Sequence, residues 1–592
     1  MDLHRRSPNK RGYIQMKAQH KILILLLIVF AVMMQGCTGH AGSGENTTEP
    51  AVVTPVLQDL PIVSDGASEY SIIIRESAQN EVSDASRSVL NAISDATGVK
   101  LRWTDDYVEN GGSIPAKEIL IGVTNRQESI AVLSELKYGE YAIRILDEKL
   151  VIAAWDDVSL AKACSVFVNQ VKRYAAEGQL IIPADYSAKA VGWETLSELP
   201  HYGSAGEIVR FVDLADNCYL LYAEDTDEAE FKAYLDVLEA AGYTQFATRE
   251  MGNNLYATYV SETKVIHASY TAFNKDARIA IEDAYDMALF TEQEYEKVCE
   301  PSVTLVGLES YGGDEDLGVG NQLGLCMIFR MEDGRFVIVD GGNYDNATLP
   351  LIQGNLKKLA VDPQNIVVAA WIFTHAHGDH AGAFCKYSQT SYKNTITVQN
   401  FVHHFCTAEQ YENCDDAGRA EQTRQLMKEY KGANIIKAHT GQVMKIGGAE
   451  IEMLFTSADL EPYVLEYHNT SSLVFRVTAE GNSVMVLGDA SPVTSSHLVK
   501  AYKQYLKSDM VQIAHHGFDG GTVSLYKAID ARVALWPTGV ACIDGTYRDL
   551  MAKDYNAKAV ELADEVYIAG MVGHTLIMPY TPAENDEAKI YT

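Results

Sequence analysis

Apolar and polar positions along the 592 residues follow three successive patterns. The earliest is an uncharged run, Ile22 to Gly36, preceded by Arg5, Arg6, Lys10, Arg11, Lys17 and Lys21 and closed by Cys37. A basic start, an apolar stretch too short to span a bilayer comfortably and small residues at its exit predict a secretory signal over 1–37. Thr38 to Pro55 is rich in Gly, Thr, Ser and Glu. That composition predicts a flexible tether over 38–56.

The second pattern alternates short apolar runs with helical periodicity and predicts two accessory units. In the first, over 57–192, the run Tyr70 to Ile74 reads as a strand, and Val82, Ala85, Val89, Leu90, Ile93 and Ala96 fall on one face of a helix that Gly98 would stop. Lys117 to Gly122, Ala142 to Ile145 and Leu150 to Ala154 add strands, and Leu160 to Arg173 adds a helix. The second unit, over 193–300, has strand patterns at Cys218 to Ala223, Leu255 to Val260, Lys264 to Tyr270 and Ala277 to Ile281. Its helix, Glu228 to Ala241, turns Phe231, Tyr234, Leu235 and Leu238 inward. Its tyrosines could stack on sugar rings, but in half-buried strands such residues more often belong to the core.

The third pattern, over 301–592, joins apolar runs to chemistry. Val367 to Phe373 runs straight into Thr374-His375-Ala376-His377-Gly378-Asp379-His380. One histidine after a strand is an ordinary polar loop, whereas four ligand-type residues in six positions are not. From a strand end, His375 and His377 leave on one side and can grip one ion, while Asp379 and His380 face a second. Imidazole and carboxylate donors suit Zn²⁺, with Mn²⁺ or Fe²⁺ as alternatives. A water held between such ions has its pKa lowered to roughly 7. The same strand-then-ligand grammar recurs three times: Phe336 to Val339 before Asp340, Ser483 to Leu487 before Gly488-Asp489, and Met510 to Ala514 before His515-His516-Gly517.

The cluster and its ordered partners resemble those of the metallo-β-lactamase fold hydrolases. The resemblance covers about half the chain, from near Ser302 onward. It implies an α/β class with an αββα sandwich at the C-terminus, preceded by the two smaller α/β or α+β accessory domains. It also implies a dinuclear site with Asp489 as the bridging ligand and Asp340 supporting the histidines from behind. Of His515 and His516 one would close the second metal position, His515 being preferred because it is nearer the strand end, and the other, His516, would face a substrate oxyanion as the catalytic contact. His468 would complete the first position, where some branches carry only an asparagine such as Asn469. Asp379 would orient the nucleophile and take its proton. The Asp489 and His515-His516-Gly517 segments are most similar to the branch with the competence-channel hydrolase domain and the phosphorylcholine esterases. That branch implies phosphodiester or related ester chemistry rather than lactam opening, although fold and metal do not fix a substrate. Tyr387, Tyr392 and His403-His404, like Asn343, Tyr344 and Asn346, are candidates for the cleft rim. The charges of the helix Asp416 to Tyr430 predict a solvated face. His574 is expected to be structural.

Met34-Gln35-Gly36-Cys37 resembles a bacterial lipobox in which Cys37 would be acylated, though Met and Gln are atypical there; a cleaved signal or an uncleaved anchor are the other readings. The stretch Tyr70 to Leu101 weakly resembles a small α/β domain found ahead of the catalytic barrel in some glycoside hydrolases, which implies a glycan-rich setting and glycan contact through the accessory units. Composition then narrows the substrate. Net charge is −32, and loss of the leader would remove six Lys/Arg against one acid. So acidic a surface repels polyanions at long range, which disfavours nucleic acid. Eight cysteines follow Cys37 without finger-type spacing; Cys406 and Cys414 could pair, or remain buried thiols. The expectation is an extracytoplasmic, membrane-anchored or secreted metallo-hydrolase acting on a small-molecule or cell-envelope substrate. Its rivals are a glycan-binding protein with an idle metal site, a DNA-processing nuclease, and a β-lactamase or lactonase.

Overall fold

The computed structural model describes residues 58–592 except 77, 79, 110, 111, 204–208, 309–323, 408, 409, 411–415, 462–464, 466, 467, 541–550 and 552. The expected signal, tether and Cys37 therefore lie outside the described residues, as do Cys414 and Tyr467. Among the described residues no helix is long and apolar enough to cross a membrane.

The apolar stripe centred on Val89, Leu90 and Ile93 builds a helix over Asn80–Thr97, and Gly98 ends it at φ 75°, where a side chain would be strained. Its partner helix, Asp157–Tyr174, starts at Asp156, whose carboxylate accepts the Ser159 N–H at 2.7 Å. Both pack on a six-stranded mixed sheet in the order Arg102–Asp105, Ser71–Ile74, Glu118–Ile121, Lys149–Ala154, Glu140–Leu146 and Ala188–Val191.

A six-stranded antiparallel sheet follows, in the order Val209–Asp213, Tyr219–Ala223, Asp276–Asp283, Lys264–Thr271, Asn254–Val260 and Thr244–Met251, with the helix Glu228–Ala240 against it. Its first and last strands escape the sequence pattern. Both are edges, and Thr244–Met251 is exposed at most positions, so the two-residue alternation that marks a half-buried strand is missing. Tyr234, Tyr256, Tyr259 and Tyr270 are buried in the packing around this sheet.

Residues 302–591 make two eight-stranded sheets face to face. One carries, in order, Asn434–Lys437, Asn400–His403, Ile366–Ile372, Phe336–Asp340, Cys326–Arg330, Ser302–Leu305 and His574–Ile577, with Ile396–Val398 beside Ile366–Ile372. The other runs Val443–Ile446, Ala449–Phe455, Val474–Ala479, Asn482–Val486, Met510–Gln512, Val533–Trp536, Glu565–Ile568 and Lys589–Tyr591. Met327, Val339 and Ile372 from the first meet Ile451, Phe475 and Val486 from the second in the inner core. Thr348–Leu359, Gly382–Ser388 and Ala417–Met427 cover one outer face, and Pro492–Tyr502, Val523–Ile529 and Asp554–Leu562 the other. Helix, sheet, sheet, helix is the layering. Glu565–Ile568 and His574–Ile577, on either side of Gly570 to Gly573, belong to different sheets, so the chain crosses between layers there.

All described residues from Gln58 to Thr592 pack as one unit. Arg278 of the antiparallel sheet donates to the carbonyls of Ala458 and Glu461, both at 3.1 Å. Lys437 donates to the Leu214 carbonyl at 2.8 Å. Arg424, expected on a solvated helix face, is instead buried; it ion-pairs with Asp216 at 3.1 Å and donates to the carbonyls of Phe405 and Cys406. Tyr387, His403 and His404 are likewise buried and do not rim a cleft. Cys406 is buried with its sulfur 3.2 Å from Ser457 Oγ.

Candidate metal centre

Strand direction assembles the site. Phe336–Asp340 and Ile366–Ile372 are parallel, so Asp340 and the loop from Thr374 emerge at the same end. In the facing sheet Asn482–Val486, Met510–Gln512 and Val533–Trp536 are parallel too, which brings Asp489, His515-His516 and Pro537 to one end. Leu473 N–H donates to the Thr374 carbonyl at 2.8 Å and stitches the two ends together.

Six side chains converge there in two groups that share Asp489: His375, His377 and Asp489 in one, and Asp379, His380, Asp489 and His516 in the other. Within each group the donor atoms lie within 4.8 Å of one another. His375 Nε2 is 3.1 Å from His377 Nδ1 and 3.8 Å from Asp489 Oδ2. His380 Nε2 lies 3.1 Å from Asp489 Oδ1, and His516 Nε2 lies 3.1 Å from Asp379 Oδ2. His468 is buried with its ring 4.4 Å from that of His377 and 5.8 Å from that of His375. It stands beside the first group. Asn469 turns away, its Nδ2 donating to His515 Nε2 at 3.1 Å.

The outer partners decide which nitrogen of each ring faces inward. Asp340 is fully buried at φ 52°; its carboxylate accepts from Thr374 N at 2.8 Å, from Thr374 Oγ1 at 2.6 Å and from His380 Nδ1 at 2.8 Å. Since the Thr374 hydroxyl hydrogen goes to Asp340, its oxygen can only accept from His375 Nδ1, 3.1 Å away. His516 Nδ1 donates to the Pro537 carbonyl at 3.0 Å. The three rings therefore aim bare Nε2 lone pairs into the cluster. There they meet carboxylate oxygens, acceptor against acceptor. His380 Nε2, His516 Nε2 and Asp489 Oδ1 are all buried without a hydrogen-bond partner. Such a set needs cations between its members. Imidazole and carboxylate donors around a shared carboxylate fit two divalent ions.

With no ion between them, the same groups shift one another's titration. Burial would raise Asp489, but His380, His516 and His515 outweigh it and hold its carboxyl far below the usual range. Asp379 is lowered as well, with burial again overcome, here by His380 and His516. Burial pushes His380 down, yet Asp489, Asp340 and Asp379 win and raise it well above an ordinary imidazole. His375, buried among His380, His377 and His468, moves well below. The cluster draws positive charge to itself.

His515 and His516 trade the places expected from their order. His516 is 1% exposed and inside the second group, whereas His515 is 27% exposed, 3.9 Å from Asp489 Oδ2, with Nδ1 on the Asp519 carbonyl at 3.2 Å. The cause is local: both residues are left-handed, at φ 50° and 53°, which swings the second ring inward. Each costs roughly 1–3 kcal/mol. Gly517 continues the turn at φ 91°, where a Cβ would lie 2.6 Å from Trp536 Nε1. Gly488, at φ 53°, lets Asp489 approach; a Cβ there would stand 2.8 Å from that of Thr374. Thr374, Ser472, whose Oγ accepts the Asp489 N–H at 3.1 Å, and the Pro537 carbonyl are site parts that sequence reading missed. His574 bonds the Ile568 carbonyl at 2.8 Å and pairs with Leu305 across the first sheet.

The family model described as Metallo-beta-lactamase superfamily matches residues 319–540. Among solved structures the chain is similar to the metallo-beta-lactamase fold protein YhfI from Bacillus subtilis, at 18% identity over 47% of this chain and 99% of that one, TM-score 0.28. It is also similar to CmlA, a diiron beta-hydroxylase from Streptomyces venezuelae, at 13% identity over 46% and 45%, TM-score 0.23. Unliganded yeast PDE1 matches at 12% identity over 49% and 90%, TM-score 0.25. No curated protein matches the chain.

Proposed function

We propose, from the match of residues 319–540 to the metallo-beta-lactamase superfamily model and from the geometry of the strand-end cluster, that the protein is an extracytoplasmic metal-dependent hydrolase of phosphodiester or related ester bonds in a small or cell-envelope substrate. The observation that carries the hydrolytic reading is the convergence of buried, unpartnered Nε2 and carboxylate atoms at the shared strand ends. Two divalent ions bound there would supply a strong nucleophile at neutral pH and positive charge for the transition state. His375, His377 and Asp489 would hold one, with His468 alongside; Asp379, His380, Asp489 and His516 would hold the other. Asp340 and Thr374 keep the His380 and His375 rings from turning. Asp379, its side chain 30% exposed, is the carboxylate at the mouth, placed to orient the nucleophile and take its proton at a free oxygen. His515 and Asn469 form the rim, where a leaving-group oxygen would meet them.

Support for the location comes from the leader and tether pattern before residue 57, and support against long polyanions from the net charge of −32. The test is metal analysis of the purified protein followed by turnover of bis-p-nitrophenyl phosphate, p-nitrophenyl phosphorylcholine and nitrocefin. About two ions per strand-end site and hydrolysis of a phosphate ester are expected. Bound metal with no turnover of any of the three would end the hydrolase reading, and nitrocefin turnover alone would replace the ester by a lactam.

A further inference from the structure

A second group of metal-type donors lies where the antiparallel sheet meets the sandwich. Cys218, at the head of the strand Tyr219–Ala223, Glu282 of Asp276–Asp283 and His439, just past Asn434–Lys437, place a sulfur, a carboxylate oxygen and an imidazole nitrogen within 4.8 Å of one another. All three are buried. His267, of the neighbouring strand Lys264–Thr271, stands beside the group: its Nε2 is 3.1 Å from Glu282 Oε1, and its ring stacks on His439 at 4.1 Å.

The distances match a single ion. Zn²⁺ bonds of about 2.0–2.3 Å in a tetrahedron leave ligand atoms roughly 3.3–3.8 Å apart. Here His439 Nε2 is 3.2 Å from Glu282 Oε1 and 4.0 Å from Cys218 Sγ. A hydrogen-bonded network accounts for the two imidazoles on Glu282 Oε1 but leaves the sulfur out. His439 Nε2 faces both the carboxylate and the sulfur, and one hydrogen cannot serve both. One divalent cation would balance a thiolate and a carboxylate and leave a neutral, buried centre. Around the cluster, His267 Nδ1 is 3.2 Å from Thr258 Oγ1, which holds that ring, and the His439 backbone N–H donates to Gln442 Oε1 at 2.7 Å, which holds the turn that carries His439.

We propose that Cys218, Glu282 and His439, flanked by His267, form a buried structural site for one zinc-type ion that clamps the antiparallel sheet onto the sandwich. A soft sulfur among nitrogen and oxygen donors selects Zn²⁺ over Mg²⁺ or Ca²⁺. Loading moves the Cys218 thiol proton to solvent as the thiolate bonds the ion. The donor set is separate from the strand-end cluster, whose donors include no cysteine, so the two can be read apart.

The test uses the full chain, stripped with a chelator, kept reduced and reloaded with Co²⁺. A thiolate-to-cobalt charge-transfer band in the near ultraviolet is expected in the wild type and in Asp489→Asn, and is lost in Cys218→Ser. Absence of the band from the wild type, or its persistence in Cys218→Ser, overturns the proposal. Should Cys218→Ser fail to fold, His439→Gln serves: loss or shift of the band supports the site, and an unchanged band refutes it. A band without phosphate-ester turnover would count against the proposed hydrolase alone.

Discussion

Two buried histidine and carboxylate clusters sit in one molecule, and they differ in closure. At the strand ends, outer partners such as Asp340, Thr374 and Pro537 turn bare nitrogens inward, while Asp379 and His515 keep 30% and 27% of their side chains exposed. At the sheet junction Cys218, Glu282, His267 and His439 are all buried. Metal sites that do chemistry keep an open position, and those that hold a fold do not. Openness, more than donor type, separates a reactive centre from a clamp.

The comparison breaks most directly at the two carboxylates. Asp489→Asn should reduce phosphate-ester turnover to background and lower the bound metal, because both donor groups share that residue. Glu282→Ala should show instead as lost stability, about 3–5 kcal/mol for removing one partner of a buried polar pair, read from urea unfolding. Equal activity loss with no stability change in both would erase the distinction. A sharper cut lies between neighbours: His516→Ala should cost far more metal and turnover than His515→Ala, since only the former's Nε2 lies inside the second group. Equal losses of bound metal would return the ligand role to His515.

The smallest effect tests what imidazole neighbours do for a buried acid. Asp489 and Glu282, each beside histidines, are held low, Glu282 at about 2, although burial alone would raise it. Glu461 has no such neighbour. Burial pushes it up to about 7, against only partial relief from Arg278 and Gln410. Its folded pKa lies above the unfolded value of 4.5, so between those two values the unfolded chain releases a proton that the folded one keeps. Stability is then present below pH 4.5 and lost as pH rises toward 7. Glu461→Gln should remove that slope, gaining on the order of 3 kcal/mol over the wild type at pH 8. Urea midpoints at pH 5 and pH 8 for both proteins measure it, and parallel slopes would refute the assignment.

How much of this could be read from the chain depends on distance along it. His375, His377, Asp379 and His380 are visible because six consecutive positions carry four donors. Asp340 and Asp489 are visible because each ends an apolar strand. The layers of the sandwich were legible only through the family resemblance. His516 was hidden by two left-handed residues, whose effect on ring direction no periodicity reports. The junction cluster was hidden by separation, since Cys218, Glu282 and His439 belong to three unrelated segments. Arg424 and His403-His404 looked like surface residues because the sheet that buries them comes from elsewhere in the chain. Edge strands such as Thr244–Met251 lack the apolar face that makes an inner strand readable.

The crossing of the chain between layers near Gly573 has a consequence for biosynthesis. His574–Ile577 pairs with Ser302–Leu305 in one sheet, and Lys589–Tyr591 pairs with Glu565–Ile568 in the other. The first layer cannot close until the ribosome has released the chain through Ile577, nor the second until it has released Tyr591. Pairing across such sequence separation is slow, and in the interval Ser302–Leu305 is an open edge, available to any other nascent chain. A truncation before His574 would leave it so, and should be recovered as aggregate even though every proposed metal ligand is still encoded.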